Sequence, residues 1–157
     1  MPWGMMYYTA VIDLYSRKIL SWRLSGNMNI DFCLEVVKDA IAEYGVPAIF
    51  NTDCGSQYTS REFIQLLQSY KIEISMDVIC RCKGNILVER TWRTLKYEWI
   101  FLRDFNTKAE LEHSLGKFAD FFNSKRIHQS LDYKTPDEVY DKGTFFALSK
   151  NCSSQAA

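Results

Sequence analysis

Residues 7–25 have the sequence YYTAVIDLYSRKILSWRLS, and they are the most informative part of the chain. Both ends of this stretch are rich in aromatic and β-branched residues, which favour strands. The polar sequence YSRK at 15–18 separates the two ends and is typical of a turn. We therefore predict strands at 5–13 and 19–25 that pair as a hairpin.

Helices and strands alternate after the hairpin. Apolar residues at helical spacing predict a helix over 30–44, which Gly45 and Pro47 end. A buried strand follows at 48–52, then a helix begun by a capping box of Thr59 and Glu62, then a strand at 71–76. Strands separated by helices predict an α/β sandwich in which the later strands are parallel.

The C-terminal half is predicted to be helical. A long helix is marked by five apolar residues, a further helix runs from a capping box at Thr107 to about residue 122, and Thr135-Pro136-Asp137-Glu138 opens a short last helix. The apolar residues of the long helix are Ile86, Trp92, Leu95, Trp99 and Leu102. We expect one core domain over residues 1–142 and a C-terminal tail over 143–157.

Composition restricts the class of protein. The 157 residues are 47% hydrophobic and 24% charged, with 3 Pro and 7 Gly, which excludes disordered and low-complexity classes. No apolar run approaches the roughly 18 residues of a membrane span, and the N-terminal sequence lacks the features of a secretion signal. Five cysteines are an odd number, which favours a reducing compartment. We expect a globular, cytoplasmic protein without membrane contact.

Charge is balanced overall but not locally. Nineteen basic residues match nineteen acidic ones, whereas the stretch 81–103 holds six basic residues and only two acidic ones, Glu89 and Glu98. This pattern fits a solvated helix face as well as a surface for phosphates. The six basic residues are Arg81, Lys83, Arg90, Arg93, Lys96 and Arg103.

Two carboxylates stand where catalysis is expected. Asp53 directly follows the predicted strand 48–52, at the end of a parallel strand where reactive groups gather. Glu89 lies on the long helix, with 35 residues between the two acids, and Arg93 and Lys96 follow it on the same face. Carboxylate oxygens are the ligands that Mg²⁺ prefers, although a single acidic residue is more often a plain surface group.

Four ordered segments resemble a known family. They are YYTAVIDLYSRKILSWRLS at 7–25, FNTDCGSQYTS at 50–60, NILVERTWRTLKYE at 85–98 and FFNSKRIHQSLDYKTPDEVY at 121–140. Together they resemble the integrase-core transposases of bacterial insertion sequences, relatives of retroviral integrases. The resemblance implies a ribonuclease H-like α/β catalytic core and a triad of acidic residues, two aspartates and a glutamate.

The resemblance also implies roles for individual residues. Asp53 becomes the second acid of the triad and Glu89 the third, both catalytic and both ligands of Mg²⁺ or Mn²⁺. Contact with DNA is implied for five further residues, which are Lys96, Arg93, Asn85, Ser56 and Gln57. The implied partners are the DNA of the element's ends and target, further copies of the chain, and a transposase product encoded upstream.

The first acid of the family has no match here. In the family it lies on the first strand of the sheet, before the hairpin, where this sequence has only MPWGM. We therefore expect a core that lacks its first β-strand, and neighbouring strands that lose their pairing partner. Asp13 is not a substitute by resemblance, because the family carries an aspartate there in addition to the catalytic one.

Some alternatives stay open. The chain is either part of a metal-dependent DNA strand-transfer enzyme or an inactive relic that keeps DNA-binding or oligomerisation. A ribonuclease H-like nuclease or resolvase is a weaker option, since the segment 121–140 resembles the transposases. Within that segment Arg126, His128 and Gln129 either order the C-terminal part or contact DNA, and Tyr58 of the second segment has the size of a core residue.

Overall fold

The computed structural model describes residues 4–27, 29–52, 57–76 and 83–143. The predicted hairpin is confirmed as strands β1 (Tyr7–Ile12) and β2 (Ile19–Ser25), which pair antiparallel. Tyr7 lies opposite Ser25, and the register shifts once, between Val11 and Ile12.

The alternating helices and strands are also confirmed. Helix α1 (Ile30–Tyr44) is followed by β3 (Ile49–Thr52), helix α2 (Arg61–Ser69) and β4 (Glu73–Met76). Strands β3 and β4 pair in parallel, with Phe50 opposite Ile74. One detail of the prediction is wrong: α2 is capped by Ser60, whose Oγ accepts a hydrogen bond from the Phe63 N–H, and not by Thr59.

The four strands form two separate two-stranded sheets within the described residues. One edge of β1 and one edge of β3 therefore have no strand beside them in that part of the chain. This arrangement agrees with the expected ribonuclease H-like core that lacks a strand.

Two hydrophobic cores lie on opposite sides of the hairpin, because alternate residues of β1 point to opposite faces. Tyr8, Ala10 and Ile12 pack on the first core, whereas Val11 packs on the second. The first core holds Ile19, Leu24, Leu95, Leu111, Leu115, Phe118, Ala119 and Phe122, and the second holds Cys33, Val37, Phe63, Leu67 and Ile72. The result is the predicted sandwich of helix, sheet and helix layers.

The long helix departs from its prediction. Helix α3 (Lys83–Thr94) continues into a π-helical segment, Leu95–Ile100, which accommodates more residues per turn. Ile86 and Leu102 were counted among the apolar residues that mark this helix, yet their side chains are 47% and 72% exposed. The residues of this element that pack on the first core are Trp92, Leu95, Trp99 and Ile100.

The last elements follow the prediction. Helix α4 (Lys108–Ser124) starts at Thr107, whose Oγ1 accepts from the Glu110 N–H at 3.1 Å. A 3₁₀ turn, Gln129–Leu131, and helix α5 (136–143) complete the described chain. None of the helices in the described ranges is long and apolar enough to cross a bilayer.

Candidate active site

The end of β3 leads directly to the predicted catalytic aspartate. Thr52 is buried, and its Oγ1, like the Oδ1 of Asn51, is buried without a hydrogen-bond partner among the described residues. Asp53 and Ser56 lie outside the described residues. Gln57 begins the next described segment, is half-buried, and its carbonyl accepts a hydrogen bond from Ser60 Oγ at 2.7 Å.

Helix α3 presents the second predicted acid to solvent. Glu89 is exposed and has no ion-pair partner in the described ranges. Arg93, one turn later, and Lys96, at the start of the π-helical segment, are exposed as well. Asn85 lies in the first turn of α3, and its side chain falls outside the described part of the structure. The structure thus brings Glu89, Arg93 and Lys96 onto the exposed part of one continuous helical element.

The second acid of the basic stretch has a different environment. Glu98 forms a bidentate ion pair with the guanidinium of Arg126, from the segment after α4. Its charge is therefore neutralised within the protein, whereas that of Glu89 remains available. Of the two carboxylates in the stretch 81–103, only Glu89 has the freedom to bind an external cation.

The donor chemistry fits a hard divalent ion only in part. Glu89 supplies one accessible carboxylate, and no group of three His, Cys, Asp or Glu side chains within the described ranges is arranged to hold a metal ion. The unpartnered oxygens of Asn51 and Thr52 show that polar groups are concentrated at the end of β3. Oxygen donors of this kind suit Mg²⁺ or Mn²⁺ better than softer metals.

Asp13 is engaged in a turn. Its Oδ2 accepts hydrogen bonds from the backbone N–H of Ser16 at 2.7 Å and from Ser16 Oγ at 2.6 Å. Ser16 is fully buried, so this carboxylate satisfies donors that water does not reach. The structural role explains the aspartate at this position without a metal.

Two further residues from the quoted segments have structural contacts. Tyr58 packs against Phe63 of the second core, and its hydroxyl lies 3.2 Å from Thr9 Oγ1, as its size indicated. His128 pairs with Lys134 in a short bridge that folds the segment before α5 back on itself. An ordering role for the segment 121–140 is therefore visible in the structure.

Sequence reasoning missed Asn123. Its side-chain amide bonds both the N–H and the C=O of Ile19, each at 2.9 Å, and so ties the end of α4 to the start of β2. In the sequence, Asn123 stands out only as part of FFNSKR, and this stretch does not indicate what its side-chain amide contacts. Its partner is 104 residues away, so no local pattern reveals the pair.

Comparison with known proteins identifies the class. A family model described as integrase core domain matches residues 1–82, and a second model with the same description matches residues 70–136. The first match covers more than half of the chain. The chain belongs to the integrase core domain family.

Individual relatives agree with this assignment. The chain is 34% identical over 138 residues to the transposase of insertion sequence element IS904 from Lactococcus lactis, which covers 86% of this chain and 54% of that protein. The chain spans about half the length of that relative. Among solved structures, the catalytic core domain of BIV integrase superposes with a TM-score of 0.72 at 16% identity, over 93% of this chain and 92% of that one.

A third comparison concerns the metal. The HTLV-2 integrase catalytic core domain in complex with magnesium, in a dimeric form, matches with a TM-score of 0.58 at 22% identity, over 82% of this chain and 79% of that one. At these identities the two integrase structures establish the fold alone. They confirm the ribonuclease H-like core predicted from the sequence.

Proposed function

We propose that this chain is catalytic-core sequence of a transposase that joins DNA ends to a target by metal-dependent strand transfer. The observation that carries the proposal is the accessible carboxylate of Glu89, which has no ion-pair partner in the described ranges and lies next to Arg93 and Lys96 on an exposed helix surface. Similarity to the IS904 transposase supports the reaction class, and membership of the integrase core family supports the catalytic part.

The proposed ligands of Mg²⁺ or Mn²⁺ are Asp53 and Glu89. When bound there, the ion would supply activation of a hydroxyl nucleophile and stabilisation of charge on the leaving oxygen of a phosphodiester. Around it Lys96 and Arg93 supply positive charge for the DNA backbone, and Asn85, Ser56 and Gln57 supply polar contacts. The magnesium in the structure of HTLV-2 integrase supports the choice of ion.

The proposed partners are DNA, further copies of the chain and a segment encoded upstream. The strand that carries the first acid of the triad would come from that segment, and the free edges of β1 and β3 offer it backbone hydrogen bonds. The dimeric form of the HTLV-2 core supports self-association, which pairing of two DNA ends requires.

The test is a chimaera in which this chain replaces the matching part of the IS904 transposase. Purified chimaera is mixed with labelled DNA ends of that element and a target plasmid, with Mg²⁺ or Mn²⁺. We expect joined products, and a loss of about 100-fold or more for Glu89→Gln because a metal ligand is removed. The control Glu112→Gln changes an exposed carboxylate on α4 and should leave joining intact.

The second candidate is a non-catalytic DNA-binding or oligomerisation module. The observation in its favour is that β1 and β3 are not paired with each other, so the sheet between the two halves is interrupted. This candidate predicts DNA binding that weakens with salt and no joined product from the chimaera. Joining that survives Glu89→Gln would remove Glu89 from the proposed site.

A further inference from the structure

A cleft of about 820 Å³ lies beside the Glu89 surface, between α3, the end of α4 and the turn of the hairpin. Four arginines line it: Arg17 from the hairpin turn, Arg90 and Arg93 from α3, and Arg126 from the segment after α4. These residues come from three separate parts of the chain, so tertiary folding assembles the cluster. We refer to this region as the arginine cleft.

Most of the positive charge in the arginine cleft is uncompensated. Glu98 neutralises Arg126, whereas Arg17, Arg90 and Arg93 form no ion pair within the described residues. Burial, together with the charge of Arg90, lowers the pKa of Arg17, which shows that the neighbours repel each other. An anionic ligand entering the cleft would relieve this repulsion.

One polar atom in the lining also lacks a partner. The ring of His128 packs edge-on against Phe122, with centroids 5.0 Å apart, and its Nε2 is buried without a hydrogen bond in the part of the chain that the structure describes. Burial and the charges of Arg126 and Arg17 lower the pKa of His128 to about 4, so the imidazole is neutral at physiological pH. The ring is therefore neutral and buried, so the groups that meet a ligand in the cleft are the guanidinium groups of Arg17, Arg90 and Arg93.

The arrangement of the arginines in the cleft indicates which kind of anion fits there. The guanidinium groups are spread around an opening much larger than a single phosphate, so one small ion cannot contact all of them. Arg93 lines the cleft and also lies one helical turn after Glu89. Arg93 therefore belongs both to the Glu89 surface and to the cleft, so a chain of successive phosphates could contact the two regions together.

We infer that the arginine cleft binds the sugar–phosphate backbone of DNA, extending the DNA interface from the Glu89 surface to Arg90 and Arg17. The inference deepens the proposed function and rests on it for the choice of DNA as the polyanion. Guanidinium groups bind phosphate oxygens in a bidentate manner, which fits a backbone contact that is independent of base sequence.

The experiment measures binding of the full chain to a short fluorescein-labelled DNA duplex between about 50 and 200 mM salt. The test variant is Arg17→Gln with Arg90→Gln, and the control is Lys108→Gln with Lys117→Gln, which removes the same charge from exposed positions on α4. We expect weaker binding by the test variant and a salt slope smaller by about 1.8, since two phosphate contacts are lost. The control should keep the wild-type slope.

A second variant guards against misfolding. Arg17 has a positive φ of 66°, so its replacement could disturb the turn, whereas Arg90 lies on a regular helix. Arg90→Gln alone should lower the slope by about 0.9. Wild-type affinity and slope in both variants would overturn the inference. Variants that bind the duplex unchanged but no longer bind poly-glutamate would also overturn it, because the ligand of the cleft would then be an acidic protein.

Two arms separate this inference from its premises. Inorganic phosphate at matched ionic strength should not displace the duplex; displacement would show a site for a single phosphate and would overturn the inference. If the chimaera joins no ends but duplex binding depends on Arg17 and Arg90, the proposed strand-transfer function fails and the inference that the arginine cleft binds DNA stands. If the chimaera joins ends and the variants bind the duplex as the wild type does, only the inference that the arginine cleft binds DNA fails.

Discussion

Asp13, Glu98 and Glu89 illustrate how surroundings decide the use of a carboxylate. Asp13 accepts two hydrogen bonds from buried Ser16, and Glu98 is held by Arg126. Glu89 is exposed and unpaired in the described ranges, so it alone is free for an external ligand. Residue type and spacing do not show which of the three acids is free. Their roles differ because Asp13 is held by a turn and Glu98 by a residue distant in sequence.

His128 makes stability depend on pH. Its pKa is about 4 in the folded chain and 6.5 in a free histidine, because burial and the charges of Arg126 and Arg17 oppose protonation. The unfolded chain therefore binds more protons between these values, and the free energy of unfolding should fall as the pH is lowered from 6.5 towards 4. Above pH 6.5 this contribution is fully present.

The check is urea denaturation of the wild type and His128→Gln across that pH range. Other groups titrate equally in both proteins, so the difference between the two curves reports His128. The variant should show the shallower pH dependence. Parallel curves would mean that His128 does not resist protonation in the folded chain.

At the scale of elements, side-chain caps and ties fix how helices begin and where they dock. Thr135 and Glu138 form the reciprocal capping box predicted for α5: the Thr135 N–H donates to Glu138 Oε2 at 2.9 Å, and the Glu138 N–H donates to Thr135 Oγ1 at 3.4 Å. Such boxes are visible in sequence because both partners are three residues apart. The shift of the α2 cap from Thr59 to Ser60 shows the limit, since adjacent hydroxyl residues fit the same pattern.

Asn123 should matter for the docking of α4 on β2. Replacing it with Ala removes both hydrogen bonds to Ile19 and leaves part-buried backbone groups unpaired. We expect the free energy of unfolding to fall by about 1 to 3 kcal/mol. Chemical denaturation measures this change, with Lys125→Ala, an exposed neighbour, as the control. A loss of under about 0.5 kcal/mol would show that the tie contributes little.

For the whole molecule, the main feature is a sheet in two halves that share helical layers. Two-stranded sheets are marginal on their own, so β1–β2 and β3–β4 depend on the cores that pack against them. Val11 of β1 and Phe50 of β3 pack on the same second core. The two halves are therefore connected through side chains rather than through a backbone ladder.

Hydrogen exchange can test the free edges. If a longer polypeptide supplies a strand between the halves, amides of β1 and β3 should exchange more slowly in the chimaera than in the 157-residue chain, because a new ladder protects them. Amides of α4, far from the edges in sequence and already helical, serve as the internal reference. Equal exchange of β1 and β3 in both proteins would show that no strand is added there.

The sequence by itself determined the local elements, the sandwich class, the family and the candidate acids. Hairpin, helix periods, capping boxes and the four ordered segments are all encoded within short stretches, where neighbours in sequence are neighbours in space. Two of the apolar residues that marked the long helix are exposed, Ile86 in α3 and Leu102 beyond the π-helical segment, because a local pattern does not show which part of a helix other elements cover.

Only the tertiary structure decided which charged groups are engaged and which are free. The pairing of Glu98 with Arg126, the tie from Asn123 to Ile19 and the meeting of Arg17 with Arg90 join residues far apart in sequence. Electrostatic and hydrogen-bond energies depend on distance and burial in the folded chain, and neither quantity is present in a local pattern. The arginine cleft is for that reason a product of folding, whereas Glu89 beside it was already visible in the sequence.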